Sequence, residues 1–286
     1  MEKLIADQTS AVMDRAAPAL DALWDYEMTG TGMPGTLMQL EAFYSVTPDN
    51  EVMALLLAKA YTGYALGWVE SEHEKAYAAG DFDASDHQRH RARLFYLRAR
   101  DLALRVMRNR DDELDAAMKS NDLGALAQYL KDVYSEPEDA APLFWAGMAW
   151  GAAINVSLDQ PDLLADLPTV RALVERAMEL DDMFYVGGAY LFLGSLNSAL
   201  SPALGGDPKK GTHFFEEGLK KTGRRNHMMH VNYARLYAVN TQNRELYHKL
   251  LMEVVSAPDQ GNDVRLMNKI ARERAERYLA EEDDLF

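Results

Sequence analysis

The chain has 286 residues, a formal net charge of −15 and 48% hydrophobic residues, enough apolar material for a sizeable core. That acidic balance, with no Lys/Arg-rich run, argues against nucleic acid and anionic membrane surfaces as partners. With no cysteine, disulfides, thiol nucleophiles and cysteine-based zinc sites are excluded.

The opening stretch MEKLIADQTS holds no apolar core of signal-peptide length. Two readings stay open at this point: a cytosolic protein, or one whose presequence has been removed. From there on the punctuation is helical. Runs rich in Ala, Leu, Met, Glu and Arg are separated by short Pro, Gly, Asp and Asn clusters, and no segment alternates with period two. The pattern predicts helices over 9–29, 35–46, 51–79, 85–108, 111–119, 122–131 and 139–158. It predicts further helices over 169–180, 184–201, 208–222, 227–240, 244–256 and 263–281.

Several predicted ends carry capping residues. Asp207 before Pro208 sets an N-cap ahead of proline at the first helical position, and Asp166-Leu167-Pro168 is a looser version. Gly223, after Lys220 and Lys221, reads as a left-handed C-terminal stop with cations beside the helix dipole. Asn243 is placed to cap the helix that begins at Arg244.

The predicted helices fall into pairs that resemble one another. In a tetratricopeptide repeat a large residue is followed by Leu and Gly three and four residues on, and the second helix carries small, large and small residues at spacings of four and three. Tyr190, Leu193 and Gly194 fit the first half, and Gly211, Phe215 and Gly218 the second. Trp145, Met148 and Ala149 pair likewise with Val170, Val174 and Ala177. Leu246, Leu250 and Glu253 keep the second-half spacing, and 51–79 with 85–108 is a looser pair. The turns are long: about 20 residues separate Ala149 from Val170 and about 16 separate Gly194 from Gly211, against about 11 in the ideal repeat. The last segment puts Val264, Met267, Ala271, Ala275 and Tyr278 on one face, the pattern of a helix that caps the end of a stack.

These observations predict an all-α protein, a right-handed helical-repeat, tetratricopeptide-like solenoid or bundle of about 11–13 helices with a C-terminal capping helix. The expected organisation is one structural unit: N-terminal helices over 1–48 packing on the repeats, tetratricopeptide-like repeats over 49–260, and the capping helix over 261–286.

Two stretches, Ala140–Leu158 and Met183–Leu204, contain no charged residue. Their length approaches the ~20 residues of a membrane span. The Asn, Ser and Pro inside them, and the acidic flanks, point instead to helices buried on nearly every side. If part of their surface lines an apolar groove or lumen, the candidate lining residues are Trp145, Trp150, Asn155, Tyr190, Asn197 and Leu204.

Other constellations carry less. The turn Leu204-Gly205-Gly206-Asp207-Pro208-Lys209-Lys210 lacks the glycine–lysine spacing of a phosphate loop and reads as a structural turn. His227 and His230, and the group Asp83, His87 and His90, lack a convincing third ligand for zinc and read as surface or capping residues. There is no catalytic motif, and the carboxylates recur on predicted solvated faces such as Glu216–Glu217. The expectation is a non-enzyme with no catalytic residues, no metal and no cofactor.

The turn SPALGGDP at 201–208, the following Gly223-Arg224-Arg225-Asn226 and the YAR of Tyr233–Arg235 form a distinctive set. With them go RARLFYLRARDLALRVM (91–107), FWAGMAWGAAINVS (144–157), DLPTVRALVERAMELDD (166–182) and the DDLF ending. Together they resemble the T-component (TatT) proteins of tripartite ATP-independent periplasmic (TRAP) transporters, over roughly residues 40–286.

The resemblance implies a periplasmic, tetratricopeptide-like protein beside a TRAP solute-binding (P) subunit. It further implies a homo-oligomer (a trimer) around an apolar lumen that delivers hydrophobic or organic-acid ligands. Family members usually start as lipoproteins, and this sequence shows neither the signal peptide nor the anchoring cysteine, so any membrane contact is expected only through an anchor absent from this chain. The alternative is a general helical-repeat scaffold that binds proteins or peptides and has no link to transport.

Overall fold

The computed structural model describes residues 2–120 and 122–286, and these are all-α, with no strand among them. The helices are α1 Glu2–Asp21, α2 Tyr26–Val46, α3 Glu51–Ala78, α4 Phe82–Arg110, α5 Leu114–Lys119, α6 Leu123–Val133 and α7 Ala140–Asn155. They continue as α8 Pro161–Leu164, α9 Leu167–Leu180, α10 Phe184–Ala199, α11 Pro208–Lys221, α12 His227–Asn232, α13 Arg244–Ser256, α14 Arg265–Ala280 and α15 Glu282–Leu285. Two π turns interrupt the regular ladder, Ala65–Val69 inside α3 and Tyr233–Ala238 directly after α12.

The element types match the periodicity, but the N-terminal boundaries do not. A single helix over 9–29 is replaced by α1 and the start of α2, with the break at 22–25. The helix expected from 35 begins at Tyr26 and runs through Pro34. Pro34 and the glycines at 30, 32 and 35 read as a loop because each weakens a helix interior. Packing explains part of the difference: a Cβ on Gly30 would lie 2.2 Å from Nε1 of Trp68, so glycine lets α2 seat on the π turn of α3.

The chain divides into two compact units. One takes the chain up to Ala17 together with Glu27–Asp181; the other takes Pro18–Tyr26 and Asp182–Phe286. The division falls between the two uncharged helices, so each sits in its own unit.

In the first unit α4 packs along α3 and α7, and α7 is flanked on its other side by α9. Leu143, Phe144, Ala146, Ala149, Ala153 and Ile154 of α7 are all buried, which is why a helix without charge is stable there. A Cβ on Gly147 would lie 2.5 Å from Cγ2 of Val174, so α7 and α9 approach through a missing side chain. Glu51–Ala78 is long and apolar enough to span a membrane by length and composition, yet half of its apolar window is buried against this unit. We read α3 as a core helix.

In the second unit α10 and α11 interlock through the repeat-spaced residues. The face of Gly194 meets the ring of Phe215, a Cβ on Gly211 would lie 2.2 Å from Oγ of Ser198, and Gly218 sits under Cβ of Tyr190. The connecting turn is structural, as its composition indicates. Gly205 is left-handed (φ 84°), the Asp207 amide donates to the Asn197 carbonyl at 3.0 Å, and the Asp207 carboxylate caps the amides of Lys209 and Lys210. Gly223 is left-handed as expected, and Arg224 follows it with φ 62°. Asn243 caps α13 through the amide of Leu246, whereas Asp166 makes no capping bond at α9. The face Val264, Ala271, Ala275 and Tyr278 is buried, and α14 packs with it on α12 and α13.

Candidate functional site

The predicted lining residues divide between packing and solvent. Trp145 and Trp150 are buried in the first unit, with the Arg100 guanidinium 5.2 Å from the Trp150 ring. Asn155, at the end of α7, is exposed. In the second unit Tyr190 and Asn197 are buried on α10, while Leu204 is half-exposed in the turn. Asn197 donates its side-chain amide to the Leu193 carbonyl of its own helix at 2.7 Å.

Tyr190 is built into an ionic cluster. Its hydroxyl donates to Asp182 at 2.9 Å, Lys221 pairs with the same carboxylate, and the ammonium lies 5.5 Å from the ring centre. The Lys221 hydrogen bond holds the Asp182 carboxyl below its ordinary range. Tyr190 therefore ties the start of α10 to the end of α11.

The histidines differ from their sequence reading. His227 and His230 are not surface residues: they are 5% and 0% exposed and meet edge-on with ring centres 5.8 Å apart. The neutral form is favoured at both. Burial pushes the His227 pKa down to about 4, and burial likewise lowers that of His230. His230 Nε2 lies 3.1 Å from Glu253, whose carboxyl is pushed down to about 2 chiefly by the Arg224 guanidinium that hydrogen-bonds to it. No group of three or more His, Asp or Glu able to hold a metal occurs among the described residues.

A strained turn opens α10. Tyr185, Val186 and Gly187 all have left-handed backbone angles (φ 49°, 53° and 72°). Such a conformation costs roughly 1–2 kcal/mol per non-glycine residue, more awkwardly for β-branched valine. The buried Asn226 side chain donates to the Val186 carbonyl at 2.9 Å and helps to hold the turn. The only signal in the sequence is the pair Gly187-Gly188.

The feature best suited to a partner is the solvent face of α2. Its 21 residues contain two charges, Glu27 and Glu41. Glu41 turns inward, accepting from Arg98 Nε at 2.8 Å and from the Tyr61 hydroxyl at 2.9 Å, and these hydrogen bonds hold its carboxyl below the usual range. The outer face from Met28 to Val46 is therefore without charge. Met38 is 74% and Val46 72% exposed, with Met28 and Phe43 about half-exposed beside them. Gly32 and Gly35 on this face look into open space: an added Cβ would meet no described residue within 4 Å. A glycine in an exposed helix interior costs about 1 kcal/mol relative to alanine, and no contact with a described residue offsets it. Small residues between protruding Met and Phe side chains make a surface that another backbone can approach closely.

A family model described as TRAP transporter T-component matches residues 24–286 of the chain. Comparison with curated proteins gave no match.

Proposed function

Since the chain belongs to the TRAP transporter T-component family, we propose that it is the auxiliary, non-enzymatic partner of a TRAP solute-binding (P) subunit, docked through the uncharged outer face of α2. The observation that carries the docking surface is the pairing of exposed Met28, Met38, Phe43 and Val46 with two glycines whose cost no contact with a described residue offsets. A solute-binding subunit is the partner that membership of a TRAP system makes available.

The protein works in the periplasm, with lipid anchoring through a precursor segment. It is a homo-oligomer, and its repeats over 49–260 with the helix over 261–286 form a tetratricopeptide-like stack. It holds or passes a hydrophobic or organic-acid ligand along the apolar helices that carry Trp145, Trp150, Tyr190 and Asn197. The interlocked pairs α7–α9 and α10–α11 support the repeat architecture, because their contacts use the small and large residues of that pattern.

Binding of the purified chain to the P subunit of its own TRAP system, read by biolayer interferometry, tests the docking claim. Burying one methionine side chain is worth about 1.5–3 kcal/mol, so Met38→Glu should weaken binding by about tenfold to a hundredfold. Lack of binding by the unaltered chain, or full binding by Met38→Glu, overturns it.

A further inference from the structure

This acidic protein carries a distinctly basic hollow. In the first turns of α14, Arg265, Lys269 and Arg272 fall on one face at spacings of four and three, and all are partly buried. They line a shallow depression of about 70 Å³ with His227, Asn268 and the loop residue Asp259. Val254, Ala257 and Pro258 supply an apolar wall.

The arrangement works against the helix that bears it. Like charges three and four residues apart repel, and cations near a helix N-terminus oppose the positive end of the dipole. Val264, at the N-cap, offers no side-chain cap to soften this. Offsetting carboxylates are few. Asp259 accepts from Arg265 Nε at 2.6 Å and from the Gly261 amide, and Glu276 accepts from Arg272 Nε at 3.1 Å on the outer side. Lys269 feels the Asp259 charge but makes no hydrogen bond to a described residue. Of the other carboxylates nearby, Glu253 is taken by Arg224 and His230, and Asp263 by Arg225. Arg265 and Arg272 are thus each paired with one carboxylate, Arg265 also donating Nη1 to the Ala22 carbonyl at 3.2 Å, while Lys269 between them has no direct partner among the described residues and lies beside an imidazole kept neutral by burial.

We propose that this hollow is a docking site for an extended acidic segment of a partner protein, its carboxylates set on the row Arg265, Lys269 and Arg272. The hollow is open on one side, whereas small-molecule sites enclose most of their ligand. A free carboxylate would stay largely wet there; a chain held by its own protein would not depend on enclosure. The seven helical residues from Arg265 to Arg272 advance about 10.5 Å, against the ~13 Å spanned by three alternate side chains of an extended peptide, a difference that the long Lys and Arg side chains can cover. The apolar wall suits the small residues between the acids. This site is separate from the α2 surface, and its failure would leave the docking of the P subunit untouched.

The test uses the full chain and a fluorescein-labelled peptide of alternating glutamate and alanine, with a glutamine–alanine twin, read by anisotropy at low salt. The glutamate peptide should bind at least about tenfold more tightly than its twin, and should weaken as salt screens the row. Lys269→Gln combined with Arg272→Gln should cost a further tenfold or so, while Lys269→Arg keeps binding. Circular dichroism checks that each variant is folded, and Lys269→Arg gives a readout with the charge intact. Equal binding of the two peptides, no binding of the glutamate peptide, unchanged binding by the folded double variant, or free glutarate binding as tightly as the peptide would each overturn the proposal.

Discussion

Acidification from pH 7 to pH 5 should destabilise the second unit by about 2 kcal/mol through His227 alone. The imidazole has an ordinary pKa near 6.5 when unfolded and about 4 when folded, because burial penalises its charged form. Between those two values the unfolded chain binds the proton and the native chain does not, so stability falls as the pH falls. The contribution is fully present above pH 6.5. Linkage gives a loss of about 2 kcal/mol by pH 5 and about 3 kcal/mol by pH 4. His230 shifts the same way for the same reason and adds to the slope. Glu253 does not confuse the window: its pKa of about 2 lies below an ordinary 4.5, so its share persists above 4.5 and is lost only in stronger acid.

Amide hydrogen exchange on peptides covering 227–256, in a denaturant series at each pH, reads this unit separately from the other. His227→Gln removes the titrating group, and should flatten the pH 7-to-5 slope by close to one proton whatever it does to absolute stability. If the unaltered protein keeps its stability between pH 7 and pH 5, or His227→Gln leaves the slope unchanged, the buried neutral histidine is refuted.

Three smaller perturbations probe the packing. Gly194→Ala would drive a methyl group to 2.8 Å from the Phe215 ring, so denaturant unfolding should show a loss of about 1–3 kcal/mol. Asp207→Ala removes the cap on the amides of Lys209 and Lys210 and should cost about 1 kcal/mol, seen as faster exchange at the start of α11. Val186→Gly should be neutral or stabilising, since release of a left-handed valine (~1–2 kcal/mol) offsets the added freedom of the unfolded chain. A loss above about 1 kcal/mol on denaturant unfolding would show that the turn is not strained.

Much of the helical framework was legible in residue types because burial leaves a compositional trace. The uncharged runs became α7 and α10 because nearly every side of each is packed. Gly194, Gly211, Phe215 and Gly218 lie where helix contact requires small against large, so their spacing foretold the contact. Local patterns failed where a distant residue decides. The start of α2 is stabilised by Trp68 filling the space at Gly30, which no window around Pro34 contains. The histidines are buried because α14 comes to lie on α12, where Asn268 accepts from the His227 amide at 3.0 Å. The lining residues chosen for their uncharged helices were legible as buried only in part, since Asn155 and Leu204 sit at helix ends where the chain turns to solvent. The α2 surface left no motif, because an exposed Met or Phe is spelled the same as a buried one.

The most direct test of the docking claim is hydrogen exchange across the whole chain with and without the P subunit. Binding should bring new protection concentrated in peptides covering 28–46. Binding that protects other segments and leaves 28–46 unchanged, or no binding at all, would contradict it.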